Sequence, residues 1–228
     1  MASSLAASLR SDIIRGTLAP GSKLPIKELC DRYDVSAIPM REALSRLATS
    51  GFVVAEDQRG FRVADVSAEE LADITEARIH VECEALRRSI RLGGLDWEER
   101  LAGAHHRLSR LPMLAEGSPG VSEEWDRAHL AFHAALIGGC GSKWLITMAE
   151  LLRDQTARYR HLSVRGEQRP PKGGKSGKGG HGSAPARDVP AEHQQIVDAA
   201  LARDEQRAGS LLAAHFRATT QLVLAKAR

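Results

Sequence analysis

The chain has 228 residues, 43% hydrophobic and 27% charged, enough to bury one large or two modest cores. Aromatics at 4% favour Leu/Ala-rich helix packing over a sheet sandwich, and three widely spaced cysteines (Cys30, Cys83, Cys140) exclude a disulfide framework. No apolar run approaches the ~18 residues of a membrane span, and no basic-then-apolar signal pattern opens the chain, so a cytoplasmic location is expected.

The net charge of +3 is concentrated in residues 162–188, which carry six Lys/Arg against two Asp/Glu. The rest of the chain is close to neutral, so any nucleic-acid footprint must be a local patch.

A first helix is predicted over 5–15, with Leu5, Leu9, Ile13 and Ile14 on one face. Pro20-Gly21 marks a tight turn. Pro25 to Tyr33 and Ser36 to Leu47 read as two short helices joined by the polar turn Asp34-Val35-Ser36. In the second, Pro39 fits a first helical position, and Ala43, Leu44 and Leu47 form an inward stripe. Arg41, Ser45 and Arg46 lie off that stripe. The pattern suits either a helix-turn-helix or an ordinary packed pair. Phe52–Ala55 and Phe61–Val63, flanking the turn cluster Glu56–Gly60, read as a hairpin. Three helices and a hairpin make a winged helix-turn-helix, with Arg59 and Arg62 at or beside the wing tip.

From Val66 onward the pattern is helical almost throughout. Ser67 and Glu70 have capping-box spacing. Leu71, Ile74, Arg78, Val81 and Ala85 share one face of a long helix that Gly93-Gly94 ends. Further helices are predicted over 96–111, 121–137 and 143–161, the last with Trp144, Leu145, Met148, Leu151 and Leu152 inward. Residues 165–187 form a basic Gly/Lys loop expected to be mobile. Pro190 starts a helix to about 202, and Asp204 caps a last one to about 226 carrying Leu211, Leu212, His215, Leu222 and Val223. The fold class is mainly α: a winged helix-turn-helix over 1–66, then an antiparallel all-helical bundle over 67–228.

Nine histidines are many for this length. His80, His105, His106, His161 and His181 show no useful spacing and read as incidental. His129 and His133 are four apart, so they share a helix face and two imidazoles can reach one ion. His193 opens one helix, and His215 sits on the apolar face of another. Taken as residues alone, these four fit either a metal site inside a bundle or a mixture of surface and satisfied core histidines. Arg78 on an inner stripe needs an anion, either a ligand or Glu82 one turn on.

Leu18-Ala-Pro-Gly-Ser-Lys-Leu-Pro25, Tyr33-Asp-Val-Ser36, Pro39-Met-Arg-Glu-Ala-Leu44 and Arg59-Gly-Phe-Arg-Val63 together resemble the GntR family of bacterial transcription regulators. The second half is similar to the all-helical FCD effector domain of its FadR-type branch, where a D-x-x-F-H motif and two later histidines bind a divalent metal. Here the motif stands as His129-Leu-Ala-Phe-His133, and the later histidines match Glu192-His193-Gln-Gln-Ile196 and Ala214-His215-Phe216.

The resemblance implies a metal held by His129, His133, His193 and His215, and a small organic acid effector whose carboxylate meets Arg78. It also implies operator DNA read by Arg41 with Lys27, Ser36, Arg46, Arg59 and Arg62. A homodimer is expected, since one short helix reads too few base pairs and paired half-sites mirror a two-fold axis.

Three departures stand out, one of them the length of the basic Gly/Lys loop, which reads as an unselected insertion or as a contact to DNA or an acidic partner. His129 replaces the family's usual Asp or Asn; this nitrogen-rich set favours Zn²⁺, with Ni²⁺ the second choice, unless His129 is not a ligand. Ile38 stands where the family often has Thr, which removes a helix cap and a phosphate contact but offers a methyl surface to thymine. A helical metallohydrolase and a regulator whose metal is purely structural are the rival readings; no H-E-x-x-H pattern supports the first, and a regulator without enzymatic activity is expected.

Overall fold

A computed structural model describes residues 2–57, 59–114, 121–166 and 187–226. Helices α1 (Ala2–Ile14), α2 (Ile26–Tyr33) and α3 (Ala37–Thr49) precede strands β1 (Val53–Glu56) and β2 (Gly60–Val63). Helices α4 (Ala68–Leu92), α5 (Leu95–Ser109), α6 (Glu123–Ile137), α7 (Lys143–Gly166), α8 (Val189–Leu201) and α9 (Glu205–Lys226) follow. The mainly helical, winged helix-turn-helix-then-bundle expectation is met. Two compact units are present: Met1–Ile74 with Leu151–Leu162, and Thr75–Glu150 with Ser163–Arg228. The boundaries fall inside α4 and α7.

In the first unit, Leu9 and Ile13 of α1 pack with Met40 and Leu44 of α3 and with Phe52 and Val63 of the hairpin. The strands pair antiparallel, Val53 opposite Val63 and Glu56 opposite Gly60. Helix α3 closes with a Schellman motif. Gly51 takes φ +77, its N–H bonds the Ala48 carbonyl at 3.2 Å, and the Phe52 N–H bonds the Leu47 carbonyl at 3.0 Å.

The start of α3 corrects the expected one. Ser36 is the N-cap residue and Pro39 the third helical residue, not the first. Proline is tolerated there because the first four N–H groups of a helix have no intrahelical partner. Ile38 is therefore not at the capping position, and the cap loss assigned to it does not arise; its side chain is 73% exposed.

The capping box of α4 forms in an altered way. The Glu70 N–H bonds Ser67 Oγ at 3.0 Å, as expected. The return bond runs through a third residue: the Ser67 N–H donates to the Tyr159 hydroxyl at 3.3 Å, and that hydroxyl donates to the Glu70 carboxylate.

In the second unit, the core joins Leu86 and Ile90 of α4, Trp97 and Leu101 of α5, Phe132 and Leu136 of α6, Ile196 of α8, and Leu212 and Phe216 of α9. Trp97 Nε1 donates to the Ala135 carbonyl at 2.9 Å, which satisfies the indole inside the core. Asp188 caps α8 by accepting from the Ala191 N–H at 3.0 Å, and Asp204 caps α9 by accepting from the Arg207 N–H at 2.9 Å.

The expected inward face of α7 is only partly correct: Leu145 packs against the core of the second unit and Leu152 is half-buried. Trp144, Met148 and Leu151 are exposed, whereas Ala149, Gln155, Arg158 and Tyr159 are buried. Leu222 of α9 is also exposed. Apolar spacing selected the former set, but the buried set is largely polar and is held by hydrogen bonds, Arg158 Nε excepted. The basic loop expected over 165–187 lies, apart from its two ends, outside the described residues. Among the described residues, no helix is long and apolar enough to cross a membrane.

Candidate functional site

On the first unit, α3 buries Met40, Ala43, Leu44 and Leu47, so Arg41 and Arg46 emerge on the opposite, exposed face. Ser36 is exposed at its start, with no capping bond from its hydroxyl, and Lys27 is exposed on α2. Arg59 is exposed in the turn of the wing. Arg62 lies in β2 and is engaged by its own unit, bonding Glu56 Oε1 at 3.0 Å and Asp65 Oδ2 at 2.6 Å.

On the second unit, the four histidines converge. His129 and His133 project from one face of α6, His193 from the second turn of α8 and His215 from the middle of α9. All four are buried, and one ring nitrogen from each lies within 4.8 Å of all the others. The His129 and His133 Nε2 atoms are 3.2 Å apart. Two nitrogens on one tetrahedral Zn²⁺, each at about 2.0–2.1 Å, would stand roughly 3.3 Å apart. Trp125 stacks on His129, with ring centroids 4.6 Å apart, and fixes its plane.

The electrostatics favour neutral, lone-pair-bearing rings. Burial, reinforced by the charges of the other three histidines and Arg78, holds His133 well below the usual imidazole range. Burial, then His215, pushes His193 down to about 3. Burial also lowers His215, against the upward pull of Glu192. His193 Nε2 is buried with no hydrogen-bond partner. A buried acceptor left in that state is costly unless something fills it, so the donor set fits a divalent metal ion.

A second layer orients His215. Its Nδ1 lies 2.7 Å from Glu192 Oε2. A carboxylate only accepts, so Nδ1 carries the proton and Nε2 presents its lone pair. Glu192 in turn receives two N–H bonds from Arg187, at 2.7 and 2.6 Å, and Arg187 also donates to the His215 carbonyl at 3.0 Å. The sequence reading gave neither Arg187 nor Glu192 a role.

Arg78 is buried on α4, where its Nε bonds Glu82 Oε1 at 2.8 Å and its guanidinium lies 3.9 Å over the Phe216 ring. A cavity of about 110 Å³ adjoins His193, lined by Leu108, Met113, Trp125 and Val189 with His105 as a polar group. His105 is thus placed at a cavity rather than being incidental; no periodicity marked it.

Comparison with known proteins agrees with both halves. Residues 1–63 match the family model for bacterial regulatory proteins of the gntR family, and residues 73–218 match the FCD domain model. The chain is 38% identical over 216 residues to BphR of Paraburkholderia xenovorans (strain LB400), described as an uncharacterized HTH-type transcriptional regulator. That match spans 94% of this chain and 82% of the relative. It is 37% identical over 207 residues to the HTH-type transcriptional repressor GlaR of Escherichia coli (strain K12), spanning 91% and 88%. The fold matches the solved structure of E. coli McbR/YncC with a TM-score of 0.77 at 18% identity, covering 100% of this chain and 98% of that one. BphR and GlaR are both named as regulators of transcription. The chain belongs to the GntR family, as a DNA-binding transcription regulator with an N-terminal winged helix-turn-helix and a C-terminal FCD domain, the FadR-type branch.

Proposed function

We propose that the protein is a homodimeric, metal-dependent repressor in the cytoplasm that responds to a small organic acid. Residues 1–66 would act as the DNA-binding domain and 67–228 as the effector domain. The observation that carries this reading is the buried quartet His129, His133, His193 and His215, with its nitrogens drawn to within 4.8 Å of one another. These residues would hold Zn²⁺, with Ni²⁺ the alternative. The ion would supply positive charge, and an anion would bind it by expanding the four-histidine set to five-coordinate.

Charge balance supports an acid as the effector. The four ligands are neutral, Glu192 is offset by Arg187, and Arg78 by Glu82. A divalent ion would therefore leave two positive charges in a buried site; a monocarboxylate would offset one of them and a dicarboxylate both. Arg78 would divide its guanidinium donors between that carboxylate and Glu82, and the cavity beside His193 would take the apolar part of the molecule. Repression follows the description of GlaR.

On DNA, Arg41 would reach base or phosphate, with Lys27, Ser36, Arg46, Arg59 and Arg62 supporting, and Ile38 offering a methyl surface. The exposed pair Trp144 and Met148, one turn apart on α7, supports a two-fold interface. Met148→Glu should then leave a monomer in sedimentation analysis; an unchanged dimer would place the interface elsewhere.

The central test is metal content of the purified protein, with binding of its own promoter DNA titrated against a panel of carboxylic acids. One Zn²⁺ per chain and acid-dependent release are expected. Equal DNA affinity with and without acid overturns ligand response and leaves the metal a structural role.

A further inference from the structure

The DNA-reading elements of the first unit are gripped by a segment from far along the chain. Gln155 Nε2 donates at 2.7 Å to the carbonyl of Ser50, the C-cap residue of α3. Arg158 Nη2 donates at 2.7 Å to the carbonyl of Ala64, just after the second strand of the wing. Arg158 Nη1 donates to Gln155 Oε1 at 3.0 Å, which ties these two contacts together. One turn of α7 thus fastens the end of the recognition helix, the end of the wing and, through Tyr159, the cap of α4.

The chemistry of this grip is expensive for a purely structural contact. Arg158 is fully buried, and its guanidinium sits 5.6 Å from the Phe52 ring centroid. The hydrogen-bond acceptors it reaches are neutral, and its Nε has none. A buried charge held by neutral carbonyls stabilises less than a well-packed apolar side chain of the same length. What the guanidinium provides instead is direction: a planar fork that fixes two acceptors in one geometry. Gly51 leaves room for this approach, since a Cβ there would stand 3.3 Å from Gln155 Nε2.

We propose that Gln155, Arg158 and Tyr159 are positioning residues for DNA recognition, holding α3 and the wing in the relative orientation that specific binding needs. The inference rests on DNA binding by the first unit and is independent of the metal and of any effector.

The test uses full-length protein and two DNA probes: a duplex enriched from a random pool by the wild type, and poly(dI-dC). Arg158→Met keeps the length and removes the fork; Gln155→Leu removes both hydrogen bonds of the amide and retains the packing volume. Both should lower the ratio of specific to non-specific affinity about tenfold, the scale of a lost base contact. The urea midpoint of Arg158→Met should be unchanged or raised, because the buried charge is gone. Tyr159→Phe should give a smaller fall in the ratio. Partial unfolding would lower both affinities by the same folded fraction and leave the ratio intact. A ratio equal to that of the wild type in both Arg158→Met and Gln155→Leu, whether or not stability changes, overturns the proposal.

Discussion

Glu192→Gln isolates the second layer of the histidine site. The carboxylate accepts from His215 Nδ1 at 2.7 Å and from two Arg187 nitrogens at 2.7 and 2.6 Å, so every hydrogen in its surroundings points inward. Glutamine has the same shape but turns one terminal oxygen into a donor. If its oxygen faces His215, its NH₂ meets the Arg187 N–H groups. If it flips, the NH₂ faces Nδ1, which must then accept, and the proton moves to Nε2, where a ligand lone pair is needed. Either arrangement also removes the negative charge that makes the ring a better donor. Losses at such partners are typically 10–100-fold in metal affinity, or about 1.4–2.7 kcal/mol. Competition between the protein and a chromophoric chelator for Zn²⁺ at neutral pH reads this directly. Metal-free stability in urea serves as the control for folding. Unchanged Zn²⁺ affinity in a folded Glu192→Gln protein would refute the assignment of Glu192 as the group that sets the His215 tautomer.

Three further outcomes follow from the same geometry. Arg78→Leu removes the ion-pair partner of the buried Glu82 and should destabilise the protein in urea unfolding by more than a surface substitution does; a loss no larger than that of a surface substitution would show that the pair contributes nothing to folding. Gly51→Ala forces a side chain into the left-handed region at φ +77 beside Gln155, and should cost about 1–2 kcal/mol; no change in thermal midpoint would contradict the Schellman closure. The third concerns pH. In chelated protein the folded state holds His133, His193 and His215 below the unfolded imidazole value of 6.5, with His193 near 3. The unfolded chain therefore binds more protons, and stability is fully present above 6.5 and falls as the pH drops toward 3. Flat metal-free stability across that interval in urea titrations would mean that the rings are not buried neutral.

Spacing marked only the i, i+4 pair of the histidine quartet; it was the resemblance to the family's motifs that joined His193 and His215 to it. The partners of His215 were not legible. Glu192 is 23 residues away in the chain, and Arg187 ends a low-complexity stretch with no periodicity to mark it. Apolar spacing misread α7 for a related reason. It finds Trp144, Met148 and Leu151, which face outward, and it is blind to a buried face made of Gln155, Arg158 and Tyr159. Polar burial depends on acceptors supplied by distant backbone, here Ser50 and Ala64. The start of α3 was misplaced by two residues because Pro39 marks a first turn without specifying which of its positions it occupies. Core identity, by contrast, followed directly from the stripes: Leu9, Ile13, Leu44, Leu47 and Leu212 are all buried as read.

The hydroxyl of Tyr159 threads between Ser67 and Glu70, 92 and 89 positions away in the chain. Regulators of this design invite head-swapping, in which one protein's operator preference is grafted onto another's sensor by cutting near residue 66. Such a graft would leave half of the donor's scaffolding behind and present the new head to a foreign Gln155 and Arg158. A faithful chimaera must carry two separate stretches of chain, the head itself and residues 151–162, so DNA preference is inherited from both.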